Sequence, residues 1–330
     1  MPADPPAPRR LLIVMPTWLG DCVMAAPTLR ALRELYPHAH IAGLIGSAIQ
    51  PVLESVPWLD QLIAAPRQGT FALARRLARD DFDTAVLLPN SFRSAALVRL
   101  ARIPRRIGYD RDCRAWLLTD HLLPPRDRRG FTPVPTRDYY LGLARYLGAT
   151  KPDPAMQLFT DPECDRQADA LLEKHAATGR LLLLNPGASK LAKRWPADRF
   201  AAVADQLAEK RGLVPAVSGA PRERDVLDAV VNAANAPVLN LLDEGMNLAL
   251  LKSVMRRARL LITNDTGPRH LAAALGTPLV TLFGPTTPDW TEIGCPFEQQ
   301  VVCEGAVTNI ATPDVAAAAE TLLAQPAEQS

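Results

Sequence analysis

Short apolar runs alternate with helix-length amphipathic stretches along this chain, and the alternation occurs twice. The first round opens with Leu11–Met15, an apolar run, followed by the loop PTWLG and by Asp21–Tyr36, whose apolar residues recur at helical spacing. It continues with a strand at His40–Leu44, a helix at Ile49–Val56, a strand near Gln61–Ala64, a helix at Ala72–Arg79, a strand at Thr84–Leu88 and a helix at Ser94–Ala101. Residues 104–137 break the rhythm with several prolines and the arginines. Asp138–Leu147 then reads as a helix, and the Pro-rich TKPDPAMQLFTDPE as a connector.

The second round predicts strands at Leu181–Leu184, Val214–Val217, Val238–Asn240, Leu260–Thr263 and Leu279–Phe283. Between them fall helices at Pro196–Lys210, Glu223–Asn232, Met246–Met255 and Pro268–Leu275. Such alternation implies an α/β protein in which a parallel sheet is covered on both faces. At 330 residues the chain has room for two such domains, 1–160 and 161–330. A last helix, Thr312–Leu323, is expected to pack back across the first domain. Ligands of such sheets bind beyond the carboxyl ends of the strands, so the loops after the strands are where chemistry is sought.

No apolar run reaches the roughly 18 residues that cross a bilayer, and MPADPPAPRR has no apolar signal-peptide core, so a cytoplasmic location is expected. The five cysteines are odd in number and lack a CxxC pair, which predicts reduced thiols and no metal site. The formal charge of +2 conceals a split, with 21 Lys+Arg against 14 Asp+Glu in residues 1–160 and 16 against 21 in residues 161–330. Ten arginines within residues 93–129 face four aspartates. Arginine forks suit phosphate and carboxylate, so an anionic substrate or a membrane headgroup is one reading and a solvated face the other.

No two glycines are separated by one residue, which excludes the G-x-G-x-x-G dinucleotide fingerprint. The P-loop, H-E-x-x-H and G-x-S-x-G patterns are also missing. What the strand ends carry instead is Thr263-Asn-Asp265-Thr266-Gly267-Pro268-Arg-His270, where Pro268 opens a helix and the amides of Thr266 and Gly267 can face an anion. Asp265 as a plain helix cap and His270 as a core residue is the alternative. Asn185-Pro-Gly-Ala188-Ser189-Lys190-Leu-Ala-Lys193-Arg194 could seat phosphate oxygens or be a solvated basic loop. Glu223 could accept bonds from ribose hydroxyls or complement a helix dipole. In the first half, Asp21 after PTWLG is either an N-cap or a general base, and Asn90, Ser91 and Arg93 either open a helix or meet a ligand.

PTWLGD at 16–21, LPNSFRSA at 88–95, IPRRIGY at 103–109, NPGASKLAKRWP at 185–196, TNDTGPRH at 263–270 and LFGPTTPD at 282–289 together resemble the ADP-heptose:lipopolysaccharide heptosyltransferases over nearly the whole chain. The resemblance implies a GT-B fold, two Rossmann-like doubly wound domains facing each other across a cleft. It implies inverting transfer of L-glycero-D-manno-heptose from ADP-heptose onto the first heptose of the lipopolysaccharide inner core. Asp21 matches the family's proposed catalytic base and Lys193 the lysine that neutralises the departing diphosphate. Donor contacts fall on Ala188, Ser189, Glu223, Met246, Asp265, Thr266, Gly267 and His270. The acceptor is expected near Asn90, Ser91 and Arg93. Many relatives carry Thr or an acidic residue where this chain has Ala188-Ser189, and the region after Cys295 is shorter and less basic than the family's. Electrostatic stabilisation of ADP implies that no metal is required, Mg2+ being compatible but outside the chemistry. The expected partners are ADP-heptose and a lipid-linked core acceptor at the inner face of the cytoplasmic membrane, with no nucleic acid and a monomeric chain. The rival readings are a same-fold transferase with another glycan or protein acceptor, and a nucleotide-sugar-binding protein without turnover.

Overall fold

The computed structural model describes residues 6–66, 69–127, 130–132, 134–285 and 291–325. Arg128, Arg129 and residues 286–289 of the LFGPTTPD segment lie outside the described residues. The chain divides into two units after Met156 rather than after residue 160. The reason is local: the Leu158 N–H donates to Ala274 O at 3.0 Å, and Phe159 O accepts from the buried Lys252 Nζ at 2.9 Å, which ties 157–159 to the second unit.

The first unit holds strands β1 (Arg10–Val14), β2 (His40–Gly46), β3 (Gln61–Ala65), β4 (Thr84–Leu87), β5 (Arg105–Tyr109) and β6 (Asp120–Leu122). They form one sheet of order β3-β2-β1-β4-β5-β6, every pairing parallel, with Leu11 opposite Ile41 on one side and Thr84 on the other. Its helices are α1 (Leu19–Met24), α2 (Ala26–Leu35), α3 (Thr70–Leu77), α4 (Phe92–Leu100) and α5 (Thr136–Tyr146), and a two-stranded ribbon, β7 (Arg126–Asp127) and β8 (Gly130–Phe131), precedes α5. Leu12, Val14, Leu44, Ile63, Leu87 and Val98 are among the buried residues of one core layer. The apolar strands are buried on both faces, which is why they read as continuous runs rather than alternations.

The second unit repeats the plan with α6 (Pro162–Lys174), β9 (Leu181–Asn185), α7 (Ala197–Arg211), β10 (Val214–Val217), α8 (Arg224–Ala233), β11 (Leu239–Asn240), α9 (Leu248–Arg256), β12 (Leu260–Asn264), α10 (Gly267–Leu275), β13 (Leu279–Phe283), β14 (Glu298–Val302) and α11 (Thr312–Leu323). Its sheet runs β11-β10-β9-β12-β13-β14, again all parallel. Both sheets therefore have the doubly wound order 3-2-1-4-5-6. No helix among the described residues is long and apolar enough to cross a membrane.

Several expectations need correction. The helix read over Asp21–Tyr36 is two, because Pro27 in the first turn of α2 has no N–H to continue the bonding of α1. Only a 3-10 turn, Gln50–Val52, forms where Ile49–Val56 read as helix, and Ser55 at φ 73° carries the chain out of helical geometry. Residues 104–137, where the rhythm breaks, contain β5 and β6. Arg105 pairs with Asp120 at 3.2 Å, and Arg106 donates to Leu117 O and Ile103 O, so charged residues serve the strand pair and mask its pattern. Val315, Ala319 and Leu322 of the last helix, α11, are buried in the second unit's own core.

Candidate active site

In the first unit the turn after β1 leads into α1, whose N-cap is Trp18 and whose third residue is Asp21. No side chain caps this helix, so Asp21 is not the N-cap. Its carboxylate lines a cavity of about 420 Å³ with Thr17, Trp18, Asn90, Ser91, Arg111 and Tyr139. Burial raises the Asp21 pKa above the usual carboxylate value. The neighbouring Cys22 thiol and Tyr140 phenol are pushed up by their own burial and then by the Asp21 charge. A carboxylate whose charged form is less stable than in water is a stronger base than an ordinary one and suits proton abstraction from a hydroxyl.

The opposite wall of the cavity follows β4 and is organised by Arg114, a fully buried guanidinium. It donates to the carbonyls of Tyr109, Pro89 and Ser91, to Ser94 Oγ and to Asn90 Oδ1. Burial lowers its pKa. Asn90 Oδ1 also accepts from the Tyr139 hydroxyl at 3.2 Å, so the Asn90 amide nitrogen is the group it can offer a ligand. Ser91 accepts from Ser94 N–H and caps α4, and it lines the cavity as well. Arg93 is exposed on α4 and is not among the lining residues. Thus Asp21, Asn90 and Ser91 are brought together and Arg93 is not. Arg114 escaped notice because it was one arginine among ten, and only the fold buries it.

In the second unit the loop after β9 is held by buried asparagines. Asn185 Nδ2 donates to Ser218 O at 2.8 Å, and Asn264 Nδ2 donates to Pro186 O at 2.9 Å while its Oδ1 accepts from Trp195 N–H at 3.1 Å. Trp195, 1% exposed, anchors the loop further by donating to Ile310 O. This places Lys193 Nζ 2.6 Å from Asp265 Oδ2, just before α10. Asp265 is not the cap of α10; Thr266 is the N-cap, and its hydroxyl donates to Asn264 O. Pro268 has no N–H and the Arg269 N–H is used by Thr266 O, so Thr266 and Gly267 supply the amides that can meet an anion.

Behind Lys193 a charged chain runs inward. Arg269, fully buried, lies 3.7 Å from Asp265 Oδ1 and grips Glu298 with Nε at 2.6 Å and Nη2 at 3.0 Å. Burial would raise the Glu298 pKa, but Arg269, Thr281 and Gln300 outweigh it and hold the carboxyl below its usual range. His270 is buried, and burial followed by the Arg269 charge brings its pKa down to about 4, so it is a neutral imidazole at pH 7. Ala188 is buried and Ser189 exposed, and Arg194 Nε donates to Ala188 O. Glu223 Oε2 accepts from Ala220 N–H at 2.8 Å, and its carboxylate lies so close over Gly187 that a Cβ there would meet Glu223 Oε1 at 2.4 Å. Met246 is half-buried in the segment leading to α9. The residues missed from sequence are Arg269 and Glu298, the latter on a polar edge strand that no apolar run announced.

Replacing Arg269 by Met should leave Glu298, whose side chain is 2% exposed, without its ion partner. A loss of about 3–5 kcal/mol in unfolding free energy is expected from denaturant titration. A loss below about 1 kcal/mol would show that the pair is not what holds this strand end.

Two parallel sheets of this order in one chain, with ligand-facing groups at their strand ends, define a protein of two doubly wound α/β units. The model of glycosyltransferase family 9 (heptosyltransferase) matches residues 70–322, and the chain belongs to that family. It is 30% identical over 300 residues to lipopolysaccharide heptosyltransferase 2 of Salmonella typhimurium, covering 86% of this chain and 84% of the relative. Among solved structures it is similar to the ADP-heptose LPS heptosyltransferase II of E. coli, at 26% identity and TM-score 0.84, covering 95% of this chain and 98% of the other. The glycosyltransferase family 9 protein of Veillonella parvula matches at 26% identity and TM-score 0.85, over 96% and 97% of the two chains.

Proposed function

We propose that this chain is an inverting heptosyltransferase of the heptosyltransferase II kind, moving L-glycero-D-manno-heptose from ADP-heptose onto the first heptose of the lipopolysaccharide inner core. The observation that carries the reading is the uncapped, half-buried Asp21 carboxylate in a cavity walled by Asn90, Ser91 and Arg111. That is where a sugar hydroxyl can be oriented and lose its proton. The donor is assigned to the second unit. Lys193, held by Asp265, and the amides of Thr266 and Gly267 meet the diphosphate, Glu223 faces ribose hydroxyls, and Ala188, Ser189, Met246 and His270 complete the nucleotide's surroundings. The hydroxyl oxygen forms the new bond to the anomeric carbon as the bond to the diphosphate oxygen breaks. The proton passes to Asp21, and the charge gained by ADP is met by Lys193.

Since these groups already supply the positive field, turnover is expected to survive EDTA. The acceptor is read as lipid-linked, so the enzyme, taken as a cytoplasmic monomer, must visit the inner membrane surface. The deciding experiment incubates the protein with ADP-heptose, with and without a heptose-bearing core acceptor, and follows ADP release and product mass. A product heavier by one heptose supports the reading. Heptose transfer to a different glycan or protein would replace the acceptor, and tight ADP-heptose binding with no turnover would leave only a binding protein.

A further inference from the structure

Single exposed apolar side chains are ordinary on a protein surface; several around one opening are not. Trp18, 64% exposed, lines the Asp21 cavity. Phe92, 48% exposed, directly follows the lining residue Ser91, and its ring meets Trp116, 72% exposed, at 6.0 Å between centroids. Leu123, 78% exposed, directly precedes the lining residue Pro124. Leu123 also shares a shallow depression of about 570 Å³ with Arg111, Asp112 and Arg126.

Charge accompanies this apolar rim. Arg111 and Arg126 line the depression beside Leu123, and the exposed Arg93 directly follows Phe92 on α4. Asp110 and Asp112 line the same depression, and Asp120 is held by Arg105.

We propose that this rim is a membrane-docking face whose partner is the headgroup layer of an anionic bilayer, with Phe92 and Trp116 as the inserted wedge. The proposal rests on the reading of the acceptor as lipid-linked and says which surface meets the lipid. Aromatic side chains flanked by arginine match the interface, where the ring enters the acyl boundary and the guanidinium meets phosphate. A free soluble anion would gain nothing from exposed Phe92 and Trp116. A second copy of the chain would set like charges against each other across a self-complementary interface.

The test is cosedimentation of the full chain with vesicles of phosphatidylcholine alone or with about a third phosphatidylglycerol, in the absence of donor and acceptor. Binding to the anionic vesicles, weakening with added salt, is expected. A Phe92→Ser/Trp116→Ser variant should lose about tenfold in partitioning while transferring heptose to a delipidated core acceptor at the wild-type rate. In the wild-type protein, brominated lipid should quench emission that a Trp116→Phe variant lacks, which keeps the test open should the double variant fold poorly. Wild-type protein that stays in the supernatant, a double variant that partitions normally, or loss of a dimer in place of vesicle binding would each overturn the proposal. Because vesicle binding is read without substrates, its failure and a failure of heptose transfer are separate results.

Discussion

Asp21→Asn is expected to lower turnover by about 10²–10⁴-fold while ADP binding stays within a few-fold of wild type. The isosteric amide keeps the cavity shape but cannot take a proton. Burial raises the Asp21 pKa, so the acid limb of kcat/KM should lie above the ordinary carboxylate value and vanish in the variant. The stability sign runs opposite to that of a salt-bridged carboxylate. Below the unfolded pKa both states are protonated and Asp21 costs nothing. Above the raised folded pKa the folded state holds an ion it disfavours. Asp21→Asn should therefore be as stable as wild type or more so at pH 7, with the difference disappearing at acid pH. Loss of activity accompanied by loss of stability, or near-normal transfer, would remove Asp21 from the role of base.

Lys193→Ala should reduce both ADP affinity and turnover, the latter by about 10²–10³-fold, because leaving-group charge is largest in the transition state. The structure adds a reason for a large effect. Asp265, with a side chain 6% exposed, loses a partner at 2.6 Å, keeps Arg269 at 3.7 Å, and adds negative charge where the diphosphate is proposed to sit. An additional Asp265→Asn change should therefore recover part of the affinity lost, which titration calorimetry with ADP can measure. Binding and turnover within twofold of wild type in Lys193→Ala would place the diphosphate elsewhere.

The parts of the fold legible from sequence were the buried central strands. β9 is Leu181–Asn185 with every residue buried, and a run of that kind has few other uses. β5, β6 and β14 were hidden for the opposite reason. β6 and β14 are partly exposed and polar, and β5 begins with two arginines, so none shows an apolar run. Of the site, Asp21, Asn90, Lys193 and Asp265 stood out because each follows a strand and precedes a helical stretch. Trp195, Asn264 and Arg269 did not, since a buried asparagine or arginine reads from sequence like any polar residue.

What the sequence by itself determined is the repetition of α/β units, the ends at which ligands can meet them and the family likeness, because strand and helix periodicity and turn residues are local properties of the chain. What only the tertiary structure decided is which polar groups are used internally. Arg114 and Arg269 become buried organisers through contacts 20 or more residues distant, with Ser94 and Asn90 in one case and Glu298 in the other. Desolvation, which raises the Asp21 pKa and makes unpaired buried charge costly, depends on what packs around a group, and neighbours brought together from distant strands cannot be read off the local sequence.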